Sequence, residues 1–214
     1  MKKFCVDSIF FREPKKTHIE SVIKFISRKN RLLNQYSVIL LLVFAVAKII
    51  HHFNSTIESM AIEVGQLAPD FTLFSDEKKQ VSLSDFRGKN VVLNFFPAAY
   101  TGVCTAQLCD ARDNMKKYES LNAQVLGISV DSPFALAKFK ADNEYNFPLL
   151  SDFNKMVIDM YDLYLEKFVF GMTGVSKRAI FVIDTEGVVR YAEVTPSAGD
   201  TPNFAAVRAA LESL

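Results

Sequence analysis

The run Val91-Val92-Leu93-Asn94-Phe95-Phe96 is apolar at every position but one, and Ala123 to Asp131 is a second near-continuous apolar run. An alternating strand has one wet face, whereas a strand apolar throughout is covered on both faces by helices. Each run leads into a helix signal. Pro97 to Thr101 open a helix-like segment that continues to about Leu121. Ser132 and Pro133 supply an N-cap and a proline at the first helical position for a helix to about Asn143.

The remaining elements fit around these two units. Pro69 to Phe74 and Gln80 to Leu83 read as short strands about the polar turn Ser75 to Lys79, and Ser84 to Lys89 as a turn or single helical turn closed by Gly88. Phe147 to Asp152 reads as a short edge element, since Pro148 cannot donate a ladder hydrogen bond. A helix is expected near Lys155 to Tyr161. Ala179 to Asp184 and Val188 to Val194 flank the hairpin signal Thr185-Glu186-Gly187. The last helix, Asn203 to Ser213, carries Phe204, Val207, Ala210 and Leu211 on one stripe. Strands alternating with helices and ending in a hairpin and a helix define an α/β domain with a mixed central sheet.

Charge divides the chain at Met60. Before it stand ten Lys/Arg and four Asp/Glu; from it onward, fifteen Lys/Arg and twenty Asp/Glu. The larger part is mildly acidic, which argues against a nucleic-acid partner. All three histidines (His18, His51, His52) lie before Met60, so residues 60–214 hold no imidazole for a catalytic base or a zinc site.

Residues 1–59 form a basic segment with sixteen uncharged residues from Leu32 to Ala47. A membrane-spanning helix needs about 20 apolar residues, so 32–50 is at the short edge of that range. With Arg28, Lys29 and Arg31 before it, a helix there would anchor the chain with residues 60–214 on the non-cytoplasmic side of an inner membrane. In the competing reading Met60 is the true start, and the protein is cytoplasmic. Membrane contact is expected only through 32–50, and Cys5 is an incidental thiol in either case.

Cys104 and Cys109 are too close in sequence to close a stabilising long loop, so redox chemistry is the better reading of the pair. Cys104 falls at a helix start, where unpaired N–H groups and the helix dipole favour an anion. A thiolate, the nucleophilic form of cysteine, is therefore favoured there.

Pro97-x-x-x-Thr101-x-x-Cys104, the preceding Asn94-Phe95-Phe96, the earlier Ala68-Pro69-Asp70-Phe71 and the later Arg178 before Ile180 to Asp184 together resemble the peroxiredoxins. The resemblance covers about Ile62 to Leu214. It implies a thioredoxin-like fold and a thiol-dependent peroxidase for hydrogen peroxide and organic hydroperoxides, with no cofactor and no metal. Cys104 would be the peroxidatic cysteine, activated by Arg178. Thr101 would bond the peroxide and Pro97 would shield the thiolate, with Val103 and Gln107 at the substrate. Cys109 would be the resolving cysteine, as the five-residue spacing is similar to that of the Q-type (bacterioferritin-comigratory) branch. Positions i and i+5 of a helix lie roughly 8 Å apart, beyond the ~7 Å reach of a disulfide, so that helix start must unwind. Thioredoxin or a similar dithiol would recycle the enzyme, as a monomer or homodimer.

Other wording, Tyr100 to Val103 and Leu150 to Phe153, is similar to the alkyl-hydroperoxide-reductase E branch, which lacks the second cysteine and implies recycling by an external thiol. Gln107 departs from the glutamate common in both branches. A tethered thioredoxin-type thiol-disulfide reductase would need a C-x-x-C motif, which is missing. A non-enzymatic holdase, with Phe168-Val169-Phe170 at an interface, would leave Cys104 unreactive. Mass measurement of the native N-terminus separates a start at Met60 from an intact residue 1–59 segment.

Overall fold

The computed structural model describes residues 62–214. The expected membrane segment 32–50 and the rest of the basic region lie outside the described residues. Among the described residues no helix is long and apolar enough to cross a membrane.

The chain runs β1 (Thr72–Ser75), β2 (Gln80–Ser82), a 3-10 turn (Leu83–Phe86), β3 (Asn90–Phe95), α1 (Gly102–Asp113), α2 (Met115–Ser120) and β4 (Ala123–Ser129). It continues through α3 (Pro133–Asn143), β5 (Leu149–Ser151), α4 (Met156–Met160), β6 (Tyr164–Leu165), a 3-10 turn (Val169–Gly171), β7 (Val175–Ser176), β8 (Ala179–Ile183), β9 (Val189–Val194) and α5 (Phe204–Glu212). Seven strands form one mixed sheet in the order β2-β1-β5-β4-β3-β8-β9, and β6 pairs with β7 separately. The β3/β4 and β4/β5 pairs are parallel and the others antiparallel. The expected α/β class and mixed sheet are those of the structure, which is a thioredoxin-like fold.

Both faces of β3 are buried, as its composition requires. Val92 and Phe96 face a layer that includes Cys104, Leu108, Leu136, Phe139, Val207 and Leu211. Val91, Leu93 and Phe95 face the opposite layer with Phe71, Val157, Ile158 and Tyr161. Gly127 in β4 has no room for a side chain, since an added Cβ would fall 2.6 Å from Cδ2 of Leu149, its partner on the neighbouring strand β5.

Local signals set the helix ends. Ser132 Oγ accepts from Ala135 N at 3.3 Å to open α3, and Asn203 Oδ1 accepts from Ala206 N at 3.0 Å to open α5. Two expectations are corrected. The helix expected to run to Leu121 breaks at Asn114, whose Nδ2 donates to Asp110 O at 2.8 Å while its own carbonyl accepts from Lys117 N at 2.9 Å. An asparagine that bonds the backbone in this way ends one helix and starts the next. Nor is Phe147 to Asp152 an edge element, because β5 lies inside the sheet between β1 and β4. Pro148 precedes the paired residues and contributes only its carbonyl, which accepts from Gly127 N at 3.0 Å. The β6/β7 pair, two residues on each strand, has no sequence signal of its own.

Phe139 holds α3 onto the site region, with ring centroids 4.9 Å from Tyr100, 5.2 Å from Tyr145 and 6.3 Å from Phe96. Phe139→Ala is expected to cost about 3–5 kcal/mol by leaving a cavity among these rings. Chemical denaturation of the purified protein checks this.

Candidate active site

β3 reaches the site with its pairing intact as far as Phe96, whose N–H donates to Ile128 O at 3.1 Å. Pro97 is buried and has no N–H, so the ladder stops there. Asp131, just past β4, then pins the loop. Its Oδ2 accepts from Ala99 N at 2.8 Å and from Ser129 Oγ at 2.9 Å. Tyr100 turns the chain with a left-handed φ of 61°, a conformation that costs a non-glycine residue roughly 1–2 kcal/mol. Its ring packs on Phe139 and its hydroxyl donates to Asp142 at 3.0 Å, which hold it in place.

Thr101 is the N-cap of α1 by its backbone. Its hydroxyl donates back to Ala98 O at 3.1 Å, and its carbonyl accepts from Thr105 N at 2.9 Å. The hydroxyl's lone pairs therefore face no helical N–H and stay available as acceptors. Cys104 is the third residue of the helix, where backbone N–H groups have no partner within the helix. Its side chain is 0% exposed.

Arg178, between β7 and β8, is 2% exposed and reaches the same point from across the sheet. Its Nη2 donates to Cys104 Sγ at 3.5 Å, and Nη2 and Nε both donate to Ala198 O. Its Nη1 donates to Gln107 Oε1. Gln107 in turn donates through Nε2 to Asn94 Oδ1 and, at 3.2 Å, to Phe95 O. The guanidinium is thus fixed by neutral acceptors on α1 and on the loop after β9. Thr195 steadies that loop, donating through N to Arg178 O at 2.9 Å and through Oγ1 to Ser197 O at 2.8 Å.

A cleft of about 790 Å³ opens over this cluster, with Thr101, Val103, Phe168, Val169 and Ala198 on its walls. Among the described residues its charged lining groups are Lys167, Lys177 and Arg178, with no carboxylate. Cys104 is buried and is not itself on the lining, which its neighbour Val103 and its partner Arg178 reach. Among the described residues no group of three or more His, Cys, Asp and Glu is placed to hold a metal ion.

Of the residues singled out from sequence, Cys104, Thr101 and Arg178 converge, Pro97 is buried at the start of their loop, and Val103 lines the cleft. Gln107, expected at the substrate, is 0% exposed and reaches Arg178 instead. Cys109 is half-buried, and both thiols are free. It sits beside Tyr145, whose phenol is pushed up by burial first and by Cys109 second. The Tyr145 hydroxyl donates to Thr105 O at 3.5 Å.

Sequence reasoning gave no role to Asn94, Asp131 or the Ala198 carbonyl. Asn94 had a signal, as the lone polar residue in a buried strand. Asp131 had only its place at the end of an apolar run, and a backbone carbonyl has none.

The AhpC/TSA family profile matches residues 64–192. The chain is 43% identical over 130 residues to a putative peroxiredoxin bcp of Haemophilus influenzae, covering 60% of this chain and 83% of that protein. It is 38% identical over 136 residues to alkyl hydroperoxide reductase E of Mycobacterium bovis, covering 62% and 86%. Among solved structures, peroxidoxin BcpB of Mycobacterium tuberculosis superposes with a TM-score of 0.64 at 30% identity, over 72% of this chain and 98% of that one.

Asp131→Ala removes the acceptor of two hydrogen bonds, and bonds to a charged acceptor are worth about 1.5–3 kcal/mol each. Amide exchange across residues 99–104 is expected to rise by about tenfold or more while β3 and β4 stay protected. Hydrogen-exchange mass spectrometry checks this.

Proposed function

This chain belongs to the AhpC/TSA family and is a peroxiredoxin, a peroxidase of the oxidoreductase class, and on that premise we propose that Cys104 is the nucleophile that reduces the peroxide. The observation that carries this reading is the Arg178 guanidinium, 3.5 Å from Cys104 Sγ and on the wall of a cleft with no carboxylate among the described residues. A fixed cation beside the sulfur pairs with the charge of a thiolate, the nucleophilic form of cysteine.

The thiolate attacks the terminal oxygen of ROOH, forming an S–O bond as the O–O bond breaks. Sulfur loses two electrons, and RO⁻ leaves and takes a proton to become ROH. The Thr101 hydroxyl accepts from the peroxide proton, and the first-turn N–H groups of Val103 and Cys104 hold the departing oxygen, as donors preorganised toward developing charge. Pro97 covers the sulfur from water, which protects the sulfenic acid from side reactions. Hydrogen peroxide and organic hydroperoxides both fit a cleft with Val103, Phe168 and Val169 on its walls.

The Cys109 sulfur then attacks the Cys104 sulfenic acid, forming an S–S bond and releasing the oxygen as water. This clears the sulfenic acid before it oxidises further. The two cysteines lie on one helix five residues apart, so the turns between them unwind for the bond to form. A dithiol such as thioredoxin restores both thiols by two exchange steps.

Purified protein with thioredoxin, thioredoxin reductase and NADPH is expected to consume peroxide, and Cys104→Ser to abolish this. Cys109→Ser is expected to keep one rapid turnover but lose the sustained one. Undiminished turnover in that variant would instead favour resolution by an external thiol. Arg178→Ala is expected to slow the first turnover by about 10²-fold or more, the usual loss for one preorganised donor. Stopped-flow kinetics checks the three variants.

A further inference from the structure

Between β6 and β7 the chain carries the apolar run Phe168-Val169-Phe170-Gly171-Met172. Phe168 and Val169 line the cleft, and beyond them Phe170 is 98% exposed, with Val169 at 50% and Met172 at 45%. Single apolar side chains on a surface are ordinary, but three within four residues form a patch. The backbone holds Phe170 out. Its φ of 58° and ψ of 25°, followed by a φ of 74° at Gly171, turn the chain sharply back. A bulky residue in the left-handed region is strained, and such strain persists where function uses it.

The loop also closes on itself. Phe168 N donates to Met172 O at 2.8 Å, Met172 N to Val169 O at 3.2 Å and Gly174 N to Leu165 O at 3.1 Å. A tip stitched in this way enters an apolar medium with fewer amides stripped of water. At 98% exposure the Phe170 ring is a protrusion, not the wall of a groove.

Charge selects the medium. Lys167 directly precedes the run, and the cleft's charged lining groups are all cations among the described residues. Lys177 Nζ donates to the carbonyl of Asp162 at 3.0 Å, which fixes the ammonium without neutralising it. Glu166 and Asp200 adjoin lining residues in sequence but are not on the lining. Residues 60–214 are net acidic, with twenty Asp/Glu against fifteen Lys/Arg. Exposed charges more than a Debye length apart, about 10 Å at 0.1 M salt, are screened, so the local lysines decide what approaches the loop.

We propose that the Val169 to Met172 tip docks this protein on anionic lipid surfaces, with Phe170 entering the interface and Lys167 on the headgroups. Aromatic rings sit at the headgroup level of a bilayer, and lysines are drawn to its anionic lipids. Docking there sets the Phe168 and Val169 wall of the cleft against the bilayer, where hydroperoxides with apolar tails partition. That use of the surface rests on the proposed peroxidase, whereas the docking itself does not.

The chain has no tryptophan, so Phe170→Trp in the full-length protein places a single reporter at the tip. On vesicles of phosphatidylglycerol and phosphatidylethanolamine its emission is expected to shift to the blue, and brominated acyl chains are expected to quench it. A Phe134→Trp protein, with its reporter at a 70% exposed site beside Lys78, is expected to show neither effect. Adding Lys167→Glu to Phe170→Trp is expected to cut the response about fivefold or more, since one lysine near an anionic surface contributes about that factor. An unshifted, unquenched reporter at the tip, whether or not the protein sediments with the vesicles, leaves the loop to a protein partner and overturns the proposal. Equal quenching at positions 134 and 170, or a response that Lys167→Glu does not change, overturns it as well. No readout uses peroxide, so failure of peroxidase turnover counts against the proposed function separately.

Discussion

The contact between Arg178 and Cys104 exists only because of strand register. β8 runs antiparallel to β3 with Ala179 opposite Phe95, so the residue just before Ala179 arrives at the end of β3 where the chain turns toward α1. On the other side, β4 runs parallel to β3 with Ile128 opposite Phe95, which brings Asp131 to the same end to pin the turn. A one-residue slip of β8 would send Arg178 to the wrong face of the sheet. The buried side chains on both faces of β3 and β8 oppose such a slip, so core packing and site geometry are one constraint.

The helix start serves two opposed needs. For the proposed reaction, it holds Cys104 beside Arg178, with Tyr100 kept in a left-handed conformation by Phe139 and Asp142. Under the proposed resolution by Cys109, the same turns would open. The structure divides the helix accordingly, tying its first half through a glutamine and an arginine and its second half through the Asp110–Arg208 pair and Arg112.

Much of this was legible in the sequence. The apolar runs marked the buried strands, Ser132-Pro133 placed α3 to the residue, and the Pro97–Thr101–Cys104 spacing with Arg178 identified the residues that converge. What the sequence could not display was pairing. Pro148 argued for an edge, yet it lies one residue outside the paired segment, and β5 is interior. The family resemblance put Gln107 at the substrate, yet it is fully buried and bonds Asn94 and Arg178. Asp131 and the Ala198 carbonyl act through folding of distant segments onto one point, which no local pattern records.

The central claim is that peroxide oxidises Cys104 and no other cysteine first. Brief exposure of the reduced protein to one equivalent of peroxide in the presence of dimedone, followed by tandem mass spectrometry, tests it directly. The account predicts the dimedone adduct on Cys104. An adduct confined to Cys109 or Cys5, with Cys104 unlabelled, would contradict it.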